Sequence, residues 1–287
     1  MCRFVAYHGP PLLISKLLHE PENSLIHQSH HSRERKEPLN GDGFGLGWYV
    51  PDISEEPALF HSVRPAWNDH NLYSLAHKTR SETICAHIRA ATIGKVSESN
   101  CHPFQFQNLL MMHNGTIGNF DIIMRKVRQK LCDRSYHWIQ GGTDSEHFFA
   151  LVISYALKDS PSGNFTLYQV QHAFREALKT VTDLHMKALD IEPILLNSVI
   201  TNGKWILATK FVSSTEATPN TLYYSANRRY DCDGGVCTMT DCAPSDQSVL
   251  IVSEKLTDIS QDWKTLPLNS FLLAHENGDI QIENLLS

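Results

Sequence analysis

A cysteine stands directly behind the initiator methionine, at the head of a segment that reads as a short strand, Cys2-Arg3-Phe4-Val5-Ala6-Tyr7. Removal of Met1 would give one residue both a thiol and a free α-amine. With an ordinary pKa of about 7.7 to 8.0, that amine suits general-base work near neutral pH. The alternative is a small hydrophobe at the start of a buried strand, because free cysteine is among the most buried residue types. Catalysis therefore requires the other parts of an acyl-transfer site elsewhere in the chain: donors for an oxyanion, and a cation and an anion to hold a charged substrate.

With 287 residues the chain can bury a substantial core. A net charge of -6, with no basic block and no Walker-type glycine loop, argues against a nucleic-acid partner. The longest apolar stretch, Phe148 to Leu157, is too short to span a bilayer, and no membrane partner is expected. The N-terminus has no apolar signal segment, so a cytoplasmic location is the expectation. Seven cysteines in such a chain are expected to be mostly reduced thiols.

Periodicity suggests strands that are mostly not joined by single crossover helices. Cys2 to Tyr7 is one; Gly43 to Val50 and Ala58 to Val63 read as a pair, and Glu82 to Arg89 and Leu109 to His113 add two more. Later strands are expected at Leu195 to Thr201, Trp205 to Phe211, Thr221 to Ala226 and Val249 to Val252. A hairpin at Phe271 to Ile282 would turn at Glu276-Asn277-Gly278-Asp279. Helical spacing runs through Leu167, Val170, Phe174, Ala177, Leu178, Val181, Leu184 and Ala188. Thr143 followed by Glu146 is a capping-box pattern that would start a second helix, with Asp144 in its first turn. No repeat or linker interrupts the chain, so one domain over residues 2–287 is expected.

Three further motifs supply the missing parts: Met112-His113-Asn114-Gly115-Thr116-Ile117-Gly118-Asn119, Ala86-His87-Ile88-Arg89-Ala90-Ala91-Thr92-Ile93-Gly94, and Gly141-Gly142-Thr143-Asp144-Ser145-Glu146-His147. Each has a bland reading. Asn-Gly often marks a hairpin turn, an arginine often makes a surface ion pair, and an aspartate often caps a helix. Together with Cys2, in this order, they resemble the class II glutamine amidotransferases, a family of N-terminal-nucleophile hydrolases. The resemblance implies an α+β fold, a four-layer αββα sandwich of two antiparallel sheets, with the first residue in a cleft at the end of a central strand.

It also implies roles. Cys2 would attack the amide carbonyl of a γ-glutamyl substrate, its own amine serving as base, and leave a glutamyl thioester for water to hydrolyse. The Asn114 side-chain amide and the Gly115 N–H would hold the oxyanion, glycine allowing the backbone to approach the substrate closely. Arg89 would grip the α-carboxylate in a bidentate fork, Thr92 would add a hydroxyl, and Asp144 would take the α-ammonium. No metal or cofactor is expected.

Further segments, among them Asn23 to Ser29, Asn40-Gly41-Asp42-Gly43-Phe44-Gly45 and Glu98 to Phe104, are similar to a branch of small class II amidotransferase-like proteins. That branch includes the ergothioneine-pathway hydrolases and, as the closer likeness, the amidotransferase-like subunits of fungal DUG complexes. The latter implies cleavage of glutathione beside a metallopeptidase-like partner subunit. Ala90, where many relatives carry a bulky aromatic, leaves room for a leaving group larger than ammonia. A glutaminase subunit feeding ammonia to a separate synthase is the second reading, and a non-catalytic γ-glutamyl-binding regulatory subunit is the third.

Other conspicuous residues have simpler expectations. His27, His30 and His31, beside Arg33, Arg35 and Lys36, read as a polar loop; Cys232, Cys237 and Cys242 lack zinc-knuckle spacing; and Cys101 reads as structural. Asn40, Asp42 and Gly43 read as a turn. His87 and His113 each come shortly before a site residue, and extended backbone would turn them away from Arg89 and Asn114 to serve as hydrogen-bonding supports.

Overall fold

The computed structural model describes residues 2–34, 39–90, 95–187 and 192–286. Thr92, Ala188, Arg35 and Lys36 lie outside the described residues. The strands are β1 Arg3–Leu13, β2 Phe44–Val50, β3 Ser54–Ser62, β4 Arg80–Ile88, β5 Phe104–Phe106, β6 Leu109–Ile117 and β7 Ile194–Thr201. They continue with β8 Ile206–Val212, β9 Tyr223–Asp233, β10 Val236–Thr240, β11 Ser248–Val252, β12 Lys264–Thr265, β13 Ser270–Ala274 and β14 Ile280–Asn284. The helices are α1 Ser15–Leu18, α2 Leu25–Gln28, α3 His70–Ala76, α4 Phe120–Arg128, α5 Asp133–Trp138, α6 Asp144–Asp159 and α7 Leu167–His185.

One antiparallel sheet has the order β10-β9-β11-β1-β4-β2-β3, with β12 added beside β9; the other is β14-β13-β8-β7-β6-β5. Three apolar cores separate four layers. The first, with Val5, Tyr7, Ile84, Ala86 and Leu250, lies between the first sheet and α1, α2 and α3. The outer face of the second sheet packs Met111, Ile117 and Leu196 against α4, α6 and α7. Between the sheets lie Phe4, Ala6, Cys85, Met112, Val199, Ala208, Ile251 and Leu272. This is the αββα sandwich.

Alternation along a strand assigns the faces. Val5 faces the helices and Phe4 the gap, so Cys2, two residues before Phe4, continues inward. Likewise Cys85 carries His87 and Arg89 inward, and Met112 carries Asn114. Strands such as β11 are buried on both faces and read as unbroken apolar runs.

Among the departures from the sequence reading, three bear on the motifs it singled out. β6 does not stop at His113 but runs through Asn114 and Gly115 to Ile117, because both residues pair with β7, opposite Asn197 and Leu196. β10, unanticipated, forms a hairpin with β9 across Gly234 and Gly235, both at positive φ. That hairpin makes Cys232 and Cys237 register partners, and they form a disulfide; the other five cysteines are free. At the start of α6 Thr143 caps as expected, accepting from Glu146 N, but the Glu146 carboxylate accepts instead from Gln140 N and Gly141 N. The complete capping box is at α7, between Thr166 and Gln169.

Candidate active site

Cys2 lies immediately ahead of β1, at the end of the inter-sheet gap. The Ala90 N–H donates to its sulfur at 3.4 Å and the thiol faces Ala90 O at 3.5 Å. Burial pushes the Cys2 thiol pKa up, against the Ala90 N–H and the Arg89 and Arg3 guanidinium groups. Since the thiolate is the nucleophile, a thiol held protonated needs a base beside it.

The next residue fixes the strand end. Arg3, 2% exposed, donates from Nη1 to the Cys2 carbonyl at 3.0 Å and pairs through Nε with the equally buried Glu254 at 3.1 Å. Arg3 also bonds Ser32 Oγ, and Glu254 accepts from Ser32 Oγ at 3.1 Å and Arg33 N at 2.6 Å. A buried ion pair is tolerated when its remaining donors and acceptors are satisfied in this way. Ser253 makes the second tie. Its hydroxyl accepts from Phe4 N at 3.1 Å and from Asn114 Nδ2 at 3.3 Å, joining the nucleophile's strand to β6. Asn114 Oδ1 is buried without a partner among the described residues.

Gly115 is demanded by packing as well as by any substrate. A Cβ there would meet Leu195 O at 1.9 Å and His113 Nε2 at 2.7 Å. Asp144 opens α6 and is 5% exposed; its Oδ2 accepts from Ile117 N at 2.8 Å and its Oδ1 from Ser145 N at 2.9 Å. Oδ1 also accepts from Ser145 Oγ at 3.4 Å, so Oδ2 is the oxygen that retains a further acceptor site. Thr143 rather than Asp144 supplies the helix cap.

Arg89 is 3% exposed, so it is no surface cation. Its backbone is clamped by the Asn40–Gly43 turn: Asp42 N donates to Arg89 O at 3.2 Å, and Arg89 N donates to Gly43 O at 2.9 Å. Its side chain donates to Lys95 O at 3.3 Å. Gly43 has φ of +112°, where a side chain would be strained. Asn40, buried beside this turn, has neither amide atom partnered among the described residues.

His113 turns away from Asn114 as alternation requires, bonding Ser145 Oγ at 2.7 Å and Leu195 O at 3.2 Å. His87 does not turn away from Arg89. It stands two residues before it, on the same face, where its ring lies 4.3 Å from that of His102 and its Nε2 meets His113 O at 3.2 Å. Burial drives the His87 pKa down to about 3, holds that of His102 well below its ordinary value and lowers that of His113. All three imidazoles are thus held neutral near the nucleophile.

The geometry thus gathers Cys2, Arg89, Asn114, Gly115 and Asp144 around adjoining strand ends. The sequence reading missed Arg3, Ser253 and Glu254, and took Asn40 only as part of a turn. The signal for Arg3 was a charge inside an apolar strand; that for Ser253-Glu254 was a polar pair closing the run Val249 to Val252. His27, His30 and His31 bring their rings within 4.8 to 5.4 Å of one another. Among the described residues no group of three or more His, Cys, Asp or Glu side chains is placed to hold a metal. None of their helices is long and apolar enough to cross a membrane.

Comparison with known proteins was made on this geometry. Residues 18–285 match the family model for class II glutamine amidotransferases. The chain is 36% identical over 289 aligned residues to the probable glutamine amidotransferase DUG3 of Saccharomyces cerevisiae, covering 95% of this chain and 81% of that protein. It is 33% identical over 135 residues to the γ-glutamyl-hercynylcysteine sulfoxide hydrolase of Mycobacterium tuberculosis, covering 46% of this chain and 57% of that one. A solved class II glutamine aminotransferase-domain protein from Silicibacter pomeroyi superposes with a TM-score of 0.66 at 23% identity, covering 99% of each chain. The motifs, the sandwich and these matches converge: the chain belongs to the class II glutamine amidotransferases.

Proposed function

We propose that the chain is a γ-glutamyl amide hydrolase whose nucleophile is Cys2 after removal of Met1. The observation that carries this is the seating of Cys2 Sγ against Ala90, next to the buried Arg89, on a strand end that Ser253 ties to Asn114. The raised thiol pKa calls for a local base, and the α-amine freed by loss of Met1 is the nearest one by covalent connection. The thiol proton passes to that amine as sulfur bonds to the γ-carbonyl carbon. The carbonyl electrons move onto oxygen, where Asn114 and Gly115 N–H stabilise them. Collapse expels the leaving amine, which takes up the proton, and leaves a glutamyl thioester that water cleaves to glutamate. Arg89, with Thr92, reads the α-carboxylate, and Asp144 reads the α-ammonium.

The substrate in this reading is glutathione or a related γ-glutamyl-cysteine derivative. Two observations support it: the small Ala90 beside the nucleophile, and similarity to a hydrolase named for γ-glutamyl-hercynylcysteine sulfoxide. Cleavage of glutathione would release cysteinylglycine, which a metallopeptidase-like partner could divide further.

The test is mass-spectrometric detection of glutamate and amine release from glutathione and from glutamine by the purified chain, with Cys2→Ala as control. Faster release from glutathione, abolished by Cys2→Ala, is the expected result. Faster release from glutamine would make the chain a glutaminase. Release from neither, with no glutamyl adduct on Cys2, would leave a binding protein.

A further inference from the structure

We propose that His113 is a positioning residue for recognition of the substrate's α-ammonium, acting through the Ser145 hydroxyl to keep the Asp144 carboxylate available. This role rests on the γ-glutamyl reading above and deepens it, since it occupies two buried side chains that the mechanism leaves unused.

Three contacts share two hydrogens. His113 Nε2 lies 3.2 Å from Leu195 O, which can only accept, so that nitrogen carries the ring proton. Burial lowers the His113 pKa against the opposing pull of Asp144 and of Leu195 O, and a neutral ring has a bare acceptor at Nδ1. Ser145 Oγ, 2.7 Å from Nδ1, is therefore the donor of that bond. The same hydroxyl hydrogen reaches Asp144 Oδ1 over 3.4 Å, as the minor part of a three-centre bond. The imidazole takes the larger share.

The ring is held where it can do so. On β6 it stands on the helix-facing side with Met111 and Ile117, directly behind Gly115, whose Cβ would meet Nε2 at 2.7 Å. One nitrogen is thus tied to β7 and the other to the first turn of α6. That turn is set independently of the histidine, because Thr143 caps it by accepting from Glu146 N. What His113 decides is the direction of the Ser145 hydroxyl. His113 is 2% exposed and Ser145 and Asp144 are each 5% exposed, so bulk solvent offers the hydroxyl little alternative.

Without an acceptor at Nδ1, the hydroxyl turns its hydrogen fully onto Asp144 Oδ1. That oxygen already accepts from Ser145 N at 2.9 Å, and Oδ2 accepts from Ile117 N at 2.8 Å. Each donor that a carboxylate takes up fills a lone pair and spreads the charge that an incoming ammonium needs. His113 draws one such donor away.

The experiment is calorimetric binding of glutathione, and of its des-amino analogue glutaryl-cysteinylglycine, to the full chain carrying Cys2→Ala, on which neither peptide is turned over. The parent is expected to bind glutathione about tenfold more tightly than the analogue, the worth of one charge-assisted contact. His113→Phe, which keeps a ring without the acceptor, should reduce that ratio to about threefold or less. His113→Asn, whose side-chain oxygen can stand in for Nδ1, should preserve it. Ser145→Ala has no hydroxyl to direct, so it should keep the parent ratio, and adding His113→Phe to it should change nothing further. His113→Leu serves in place of His113→Phe should the phenyl ring prevent folding. A ratio undiminished by loss of the imidazole, or diminished equally with and without the Ser145 hydroxyl, makes His113 a packing residue and overturns the role while the γ-glutamyl reading stands. Equal binding of the two peptides by the parent overturns it as well, because Asp144 then reads no ammonium. Binding of neither peptide sinks both the role and the reading beneath it.

Discussion

Two rows of side chains, two residues apart on the same strands and facing the same gap, differ completely in character. Met112, Val199, Ala208 and Leu272 are apolar and pack against Phe4, Ala6 and Ile251 of the facing sheet. One step toward the strand ends the row becomes Asn114, Asn197, Lys210 and Ser270, where Asn114 bonds Ser253 and Asn197 bonds the backbone of Asn220 and Thr221 across the gap. The first row needs only volume and water exclusion, so nearly any well-packed hydrophobes would serve. Each member of the second is as deeply buried and must therefore be hydrogen-bonded, ion-paired or kept for a ligand. The orphaned Asn114 Oδ1 and Asn40 amide are groups the fold itself does not satisfy. The difference locates the chemistry: the fold is held by one row, and the adjacent row carries polar groups whose burial is repaid on binding.

The largest effect should come from breaking the ion pair that anchors the polar end. Glu254→Ala leaves Arg3 charged, buried and unmatched, and should cost about 3 to 5 kcal/mol in urea unfolding. A loss under 1 kcal/mol would show that water already reaches the pair. A matched pair of substitutions sharpens the comparison. Met112→Ala should cost about 2 to 5 kcal/mol of stability through its cavity, whereas Asn114→Ala should lower kcat by about a hundredfold to a thousandfold. Were Asn114→Ala to destabilise as much as Met112→Ala while sparing turnover, the division between the rows would be wrong.

The most gradual effect concerns pH. His87 stays neutral in the folded chain down to about 3, while an unfolded histidine takes a proton near 6.5. Between those values the unfolded chain binds more protons, so stability is full above about pH 6.5 and falls as the pH drops. The slope is about 1.4 kcal/mol per unit for this group. His102, also held low by burial, acts in the same direction. A Tm unchanged between pH 7 and 5 would contradict neutral burial of this histidine pair.

Much of this was legible in the sequence where one residue type has one physical reason to stand where it does. Thr143 caps α6, Leu167 to Val181 line one face of α7, and Asn277-Gly278 turns the β13–β14 hairpin. Gly234-Gly235 was an equally good hairpin signal, obscured by the five-residue spacing of the cysteines around it. What was not legible depends on neighbours far along the chain. Asn114-Gly115 looks like a turn until β7 is laid beside it, and nothing near Arg3 announces Glu254, 251 residues away. Asn197 became conspicuous only when register set it in line with Asn114.

The central claim is that Cys2 is a live N-terminal nucleophile, and intact mass of the purified chain before and after 6-diazo-5-oxo-norleucine, with a peptide map, tests it most directly. The account predicts that Met1 is absent and that one adduct forms, on Cys2, and is lost in Cys2→Ala. Retained Met1, or labelling that persists in Cys2→Ala, would contradict it.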